Sequence, residues 1–161
     1  MIAEDVFSNE YFMAEALKLA EQAALCDEVP VGAVIVHENR IIARSYNTRE
    51  LSQNPIAHAE VLSLQAAASV LNSWRLDQCD LYVTLEPCPM CLGAAINSRI
   101  KKIIYGASDP KAGACGSVLN FYAHPGLNHS IEVVGGVMAE ECGTILSDFF
   151  RAKRKSLKGS P

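Results

Sequence analysis

The sequence predicts an α/β layered fold built on a mixed β-sheet, and three observations carry that expectation. Short β-branched runs alternate with segments whose apolar residues recur at helical spacing. The first two such runs are separated by only two residues, which makes them a hairpin and the sheet mixed rather than wholly parallel. No repeat, low-complexity stretch or linker interrupts the 161 residues. The chain therefore reads as a single domain over 1–161, ending in a basic helical tail at about 151–158.

From Asn9 to Leu25, Phe12, Ala16, Leu19, Ala20 and Ala23 fall on one helical face, with Ser8 as the N-cap. The runs "VGAVIVH" (31–37) and "RIIARSY" (40–46), joined by Glu38-Asn39, form the hairpin. Pro55 precedes a helix expected from Ala57 to Leu71. "DLYVTL" (80–85) is a strand, followed by a helix from Cys88 to Ile96 with Pro89 in its first turn. "KKIIYG" (101–106) and "SIEVVGG" (130–136) complete the strands, and a last helix runs from Ala139 into the tail.

Half of the residues are apolar and a fifth are charged, the balance of a globular chain rather than a disordered one. No apolar run approaches the roughly 18 residues a membrane span needs. The N-terminal segment carries Glu4 and Asp5 where a secretory leader carries basic residues. A cytoplasmic protein with reduced cysteines is the expectation, and in that setting a close cysteine pair points to metal binding or catalysis. The net charge is −4, yet five of the fourteen basic residues lie in "RAKRKSLK" (151–158). That tail is either a solvated helix end, where cations suit the macrodipole, or a phosphate-contacting element.

"TLEPCPMC" (84–91) places Cys88 and Cys91 one helical turn apart at a helix N-terminus. The dipole there lowers thiol pKa, which serves a redox pair and a metal site equally. Thirty residues upstream, "HAE" (58–60) opens another helix. His58 with the two cysteines makes three zinc ligands, the number that leaves a position for water at a catalytic site. No second close pair among the remaining cysteines and histidines supplies a fourth. Glu60 would be an ordinary first-turn acid by itself. Two residues after His58 it becomes a candidate proton carrier, and H-x-E followed by P-C-x-x-C is the zinc-deaminase signature.

At these residues the chain resembles the cytidine deaminase superfamily, and more closely the bacterial tRNA-specific adenosine deaminases. The likeness extends through "EVPVGAVIV" (28–36), "LYVTLEPCPMCLGAAINSRI" (81–100), "YGASDPKAGACGS" (105–117), "NHSIEVVGGV" (128–137) and "LSDFFRAKRK" (146–155). It implies a three-layer α/β/α cytidine deaminase-like fold with a central mixed sheet of about five strands. It also implies one zinc per subunit on His58, Cys88 and Cys91, and proton transfer by Glu60 during hydrolysis of the wobble adenosine (position 34) of an arginine tRNA to inosine. By the same likeness Asn47 bonds the base, and the backbone near Ala59 and Glu86 lines its pocket. Val31 forms a wall there, unless it is simply strand core. Asp109 and Lys111, in what would otherwise be a plain turn, contact the RNA, as do Phe149 and Arg151 at the start of the tail. Helical spacing from Leu146 sends one of Phe149 and Phe150 to the core. His124 and His129 flank an ordinary turn that is a further candidate approach to the RNA. Cys115 departs from the pattern, and nothing makes it a ligand.

The resemblance implies a homodimer, for which the apolar helix "MCLGAAI" (90–96) is a candidate face, although core packing explains it equally. The partner is the anticodon stem-loop of the tRNA, and no membrane is involved. The runner-up is a zinc deaminase of a free base or nucleotide, of guanine or cytosine type. A thiol-disulfide exchanger and a non-catalytic zinc-stabilised RNA-binding module are the alternatives from other classes. Two thiolates and an imidazole suit zinc best, with iron the other metal such a site accommodates.

Overall fold

A computed structural model describes residues 7–159; the outermost residues of the expected 1–161 domain lie outside the described residues. Four helices and five strands follow one another as α1 (Asn9–Leu25), β1 (Gly32–His37), β2 (Arg40–Tyr46), α2 (Ala59–Leu71), β3 (Cys79–Leu85), α3 (Pro89–Asn97), β4 (Lys102–Ala107), β5 (Glu132–Val134) and α4 (Ala139–Lys158). The sheet order is β2-β1-β3-β4-β5. β1 pairs antiparallel with β2 and β3, while β3, β4 and β5 run parallel. The mixed sheet expected from the hairpin is present.

Side-chain alternation along the three central strands divides the core between the two faces of the sheet. Ala33, Ile35, Leu81, Val83 and Ile103 meet Leu64 and Ala67 of α2 and Leu92, Ala95 and Ile96 of α3. Val34, Val36, Tyr82 and Ile104 meet Phe12, Met13, Ala16 and Leu19 of α1 and Cys142 of α4. Helices on both faces make the three-layer α/β/α arrangement of the cytidine deaminase-like fold.

Local chemistry accounts for the element ends. Ser8 caps α1 by accepting the Tyr11 N–H at 3.2 Å. Glu38 and Asn39 both adopt positive φ, the two-residue turn whose twist matches a hairpin. α2 begins at Ala59 rather than Ala57, because His58 is still extended and occupies the N-cap position; in the same way Cys88 occupies the N-cap position of α3, whose first residue is Pro89. β5 spans Glu132–Val134, shorter than 130–136, since Gly136 turns at positive φ and Gly135 presses its backbone against the Tyr105 ring.

The topology gathers the functional stretches at one edge. β3 and β4 end there. Because β1 is antiparallel to β3, with Ala33 opposite Val83, the start of β1 lies at that edge as well. The end of β2 joins it, with Tyr46 opposite Gly32. Residues 29–31, 47–49, 85–88 and 107–112 thus converge beside the N-termini of α2 and α3. Crevices at the carboxyl ends of parallel strands are where open α/β sheets bind ligands.

α1 lies so close to β1 that a side chain at Gly32 would collide with the Ala16 carbonyl and the Leu19 Cβ. Gly32→Ala is therefore expected to cost about 3 kcal/mol or more. Gly143→Ala, in the interior of α4, would meet only the Ala107 Cβ at 4.0 Å, an ordinary contact, and is expected to gain about 1 kcal/mol from helix propensity. Urea unfolding of both variants beside the parent checks the opposite signs.

Candidate active site

His58 and Cys88 occupy the N-cap positions of α2 and α3, and neither side chain makes a capping hydrogen bond. They turn inward instead. His58 Nδ1 lies 3.7 Å from Cys88 Sγ and 3.4 Å from Cys91 Sγ, and the three donor atoms all fall within 4.8 Å of one another. Tetrahedral bonds of ~2.3 Å to sulfur and ~2.05 Å to nitrogen put those atoms ~3.6 Å apart, so the triad fits a zinc-sized ion without rearrangement. It is the one such group among the described residues. Cys115 is not part of it; its thiol is buried and its N–H is bonded to Glu86.

The ligands divide charge unequally. A hydrogen bond from Cys91, aided by His58, lowers the Cys88 thiol to about 4. The Cys91 thiol is raised by its bond to Cys88 and by burial. The hydrogen bond to Cys88 raises His58 above 6.5. Glu60, in the first turn of α2, is 4 % exposed, and burial pushes its carboxyl up to about 7. A carboxyl poised there can take up and return a proton at neutral pH.

Beside the triad lies a pocket of about 170 Å³ lined by Val29, Val31, Asn47, Arg49, His58, Ala59, Glu60, Leu85, Glu86, Cys88, Asp109 and Ala112. The expected Val31, Asn47, Ala59, Glu86 and Asp109 are thus brought together. Asn47 is fixed on both sides, donating from Nδ2 to the Val29 carbonyl and accepting from the Arg49 N–H, each at 3.2 Å. The Glu86 N–H is committed to the Ala107 carbonyl at 2.8 Å, so what Glu86 brings to the region is its carboxylate rather than an amide. Burial raises the pKa of that carboxylate, but hydrogen bonds from Ser117 and from the Asp109 and Cys115 backbone outweigh it and hold the group below the usual range.

A larger groove of about 740 Å³ continues from the pocket, sharing Val29, Leu85 and Asp109 with it. Lys111, Arg151 and Arg154 line it, with Phe150 on its wall. Phe149 does not line this groove. It stacks edge-on with Phe150, lies beneath the Lys153 ammonium at 5.6 Å, and faces a second groove bounded by Asp27, Arg49 and Leu51. Neither phenylalanine is core, since Cys142 is the buried residue of α4. Lys153 bonds Asp27 at 2.7 Å and ties the helix to the rim.

His129 and His124 lie on neither wall: the first bonds the Ile100 carbonyl at 2.6 Å, and the second accepts the Gly126 N–H. In α3, Leu92, Ala95 and Ile96 are spent on the core while Cys91 turns to the triad, so the apolar character of "MCLGAAI" is accounted for by packing. The sequence does not single out Arg49, two residues beyond Asn47, and it names Arg154 only as part of the basic tail offered as a phosphate-contacting element.

Residues 7–154 match the MafB19-like deaminase family. A tRNA-specific adenosine deaminase of Bacillus subtilis (strain 168) is 50% identical over 152 residues, covering 94% of each chain. A solved structure from biochemical and structural studies of A-to-I editing by tRNA:A34 deaminases at the wobble position of transfer RNA is 43% identical. It has a TM-score of 0.82 and covers 84% of this chain and 99% of that one. The structure of guanine deaminase from Bacillus subtilis is 33% identical, with a TM-score of 0.63 and coverage of 92% and 95%.

Removing a ligand through Cys91→Ser or His58→Ala is expected to weaken zinc binding more than about 100-fold, measured by competition with a chromophoric chelator. His58 ligates only as neutral imidazole and its pKa lies above 6.5, and Cys91, whose thiol is held high, must release its proton to ligate, so affinity falls as pH drops from about 8 to about 6. Cys88, at about 4, remains thiolate across that range and adds nothing to the slope.

Proposed function

This chain belongs to the tRNA-specific adenosine deaminase family, and from that premise we propose that it hydrolyses the wobble adenosine (position 34) of an arginine tRNA to inosine, releasing ammonia. The observation that carries the reading is the joining of a one-base pocket to a basic groove. At about 170 Å³ the pocket falls below the roughly 300–1,000 Å³ typical of drug-sized ligands, room for a base rather than a whole nucleotide. A nucleotide flipped from an anticodon loop needs that pocket for its base and a path for the flanking strand. The groove with Lys111, Arg151 and Arg154 supplies the path, whereas a free-base enzyme has no use for one.

His58, Cys88 and Cys91 would hold one zinc ion per subunit. When bound, zinc supplies a Lewis acid that makes water nucleophilic near neutral pH. The protein's own residues do the rest. Val31 and Ala59 confine the base, and Asn47, locked by Val29 and Arg49, presents its amide to the base edge. Glu60 accepts one proton of the attacking water on its carboxylate, delivers it to the purine ring nitrogen, and carries the water's second proton to the departing amine. Burial around Glu60 excludes bulk water from these transfers. Asp109, Lys111, Phe149 and Arg151 are assigned to RNA contact, with Phe150 as the aromatic wall of the groove. The protein acts as a cytoplasmic homodimer. With the apolar residues of α3 in the core, the surface α3 offers a second copy consists of Pro89, Met90, Gly93, Ala94 and Asn97. No helix of the described residues is long and apolar enough to cross a membrane.

The test is incubation of zinc-loaded protein with an arginine anticodon stem-loop hairpin, followed by sequencing of the wobble position, in parallel with free guanine. Wild type is expected to yield inosine and leave guanine unchanged; turnover of guanine with the hairpin untouched would replace this reading by the free-base one. Glu60→Ala is expected to retain zinc and lose about 10²–10⁴ in rate. Lys111→Ala and Arg151→Ala are each expected to weaken hairpin binding and to lower the slope of log affinity against log salt by about 1, read by fluorescence anisotropy over a salt series.

A further inference from the structure

Residues 108–119 leave the end of β4, bring Asp109 and Ala112 to the base pocket and Lys111 to the groove, and then return to the body. The stretch forms no helix or strand; a single bridge joins Cys115 to Asn120. A loop of this kind keeps one conformation only if its backbone groups find fixed partners. Here one buried side chain provides three of them, at Asp109, Cys115 and Ser117, while the Asp109 carboxylate so placed takes the Lys111 and Ala112 N–H groups. Glu86, 2 % exposed at the end of β3, accepts on Oε1 from the Asp109 N–H at 3.0 Å and from the Ser117 hydroxyl. Its Oε2 accepts from the Cys115 N–H at 3.0 Å and the Ser117 N–H at 3.1 Å. Gly113 lies against the carboxylate so closely that a Cβ there would collide with it. The Ala114 N–H bonds the Pro87 carbonyl at 2.8 Å and adds a neighbouring anchor.

We propose that Glu86 is a positioning residue for RNA, its carboxylate holding the 108–119 loop in the shape that aims Asp109, Ala112 and Lys111 at the substrate. The proposal rests on the functional reading above and deepens it. The side chain touches no substrate in this scheme; it acts through the loop. A carboxylate is required because both oxygens receive N–H or O–H donors. Glutamine in either orientation would set its own NH₂ against some of these donors, leaving buried donors unpaired. Aspartate, one methylene shorter, would not reach both ends of the loop. All four donors are neutral groups of a single loop, so the charge is spent on shaping that loop and not on an ion pair.

The experiment compares wild type and Glu86→Gln for zinc content, for KM and kcat on the arginine stem-loop hairpin, and for backbone amide exchange followed by mass spectrometry. The expected result is intact zinc and KM raised about tenfold or more, with kcat within about threefold. Amide exchange in 109–117 should be about tenfold faster, while β3 and β4 remain protected. Unchanged exchange in the loop, an unchanged KM, or kcat falling together with loss of zinc, would overturn the proposal in favour of a general structural role. Should Glu86→Gln not fold, Ser117→Ala removes one donor while leaving the carboxylate in place. It is then expected to raise KM about threefold with zinc intact, and an unchanged KM would overturn the proposal. A wild type that leaves the hairpin unedited would sink the functional reading instead, and the exchange measurement would still decide the role of Glu86.

Discussion

The N-termini of α2 and α3 meet at the carboxyl end of β3, and the chemistry depends on that meeting. Each helix contributes first-turn N–H groups without intrahelical partners and the positive end of its dipole. Thiolates and a carboxylate are the groups such an environment favours. The N-cap positions would ordinarily hold Ser, Thr, Asp or Asn, whose oxygens satisfy one of those N–H groups. Here they hold His58 and Cys88, neither of which caps. Replacing a good cap costs on the order of 1 kcal/mol, so the fold carries a local deficit at both helix starts. An ion bound at the triad would compensate, since anything that binds the folded state alone stabilises it.

Around that fixed point the pocket walls are loops, and buried carboxylates hold two of them. Glu86 holds 108–119. Glu28, 1 % exposed, accepts the Glu50 N–H on both oxygens at 2.8 and 3.2 Å and so restrains the segment that carries Asn47 and Arg49. Asp27, in the left-handed conformation at the end of α1, makes the turn that leads into Glu28, and its own carboxylate faces Lys153 of α4. The α1–β1 connection therefore reaches the 47–50 wall through one residue and the C-terminal helix through the one before it. That exposed ion pair contributes little energy. Its effect is geometric: it fixes where the basic end of α4 lies relative to the pocket.

The layered fold, the hairpin and the metal triad were legible because each rests on a short-range rule. Alternating β-branched runs read as strands, a two-residue gap forces a turn, and ligands one helical turn apart share a face. The helix starts were less legible by one or two residues, because His58 and Cys88 are not residues a capping rule selects. β5 was overestimated since its last residues look like strand, while Gly135 and Gly136 obey the Tyr105 ring and a positive φ instead. The roles of Phe149 and Phe150 could not be divided by periodicity, as both lie within reach of Leu146 at i+3 and i+4. Only the packing of α4 against the rim separates them. Glu28 and the side chain of Glu86 escaped for a different reason. An acid in a strand-flanking position reads as solvent-facing, and its burial depends on backbone donors 22 to 31 residues away.

Rigidity and charge are distributed in opposite senses. The groups proposed to move protons and hold the ion stand on first helical turns and N-cap positions, backed by a core buried on both sheet faces. Groups assigned to the RNA stand on a tethered loop and on a helix whose residues 151–159 are all exposed. A net charge of −4 would repel a polyanion on average, but screening confines repulsion between exposed charges to roughly 8–10 Å. Within that distance the groove is dominated by Lys111, Arg151 and Arg154. Local sign therefore outweighs net sign, and the acidic body leaves the groove as the favoured approach for an anion. An adenosine lacking its flanking strand would meet the pocket and Glu60 but none of these cations, so on the proposed reading selection for tRNA over a free base would lie outside the metal site, in the loop and tail.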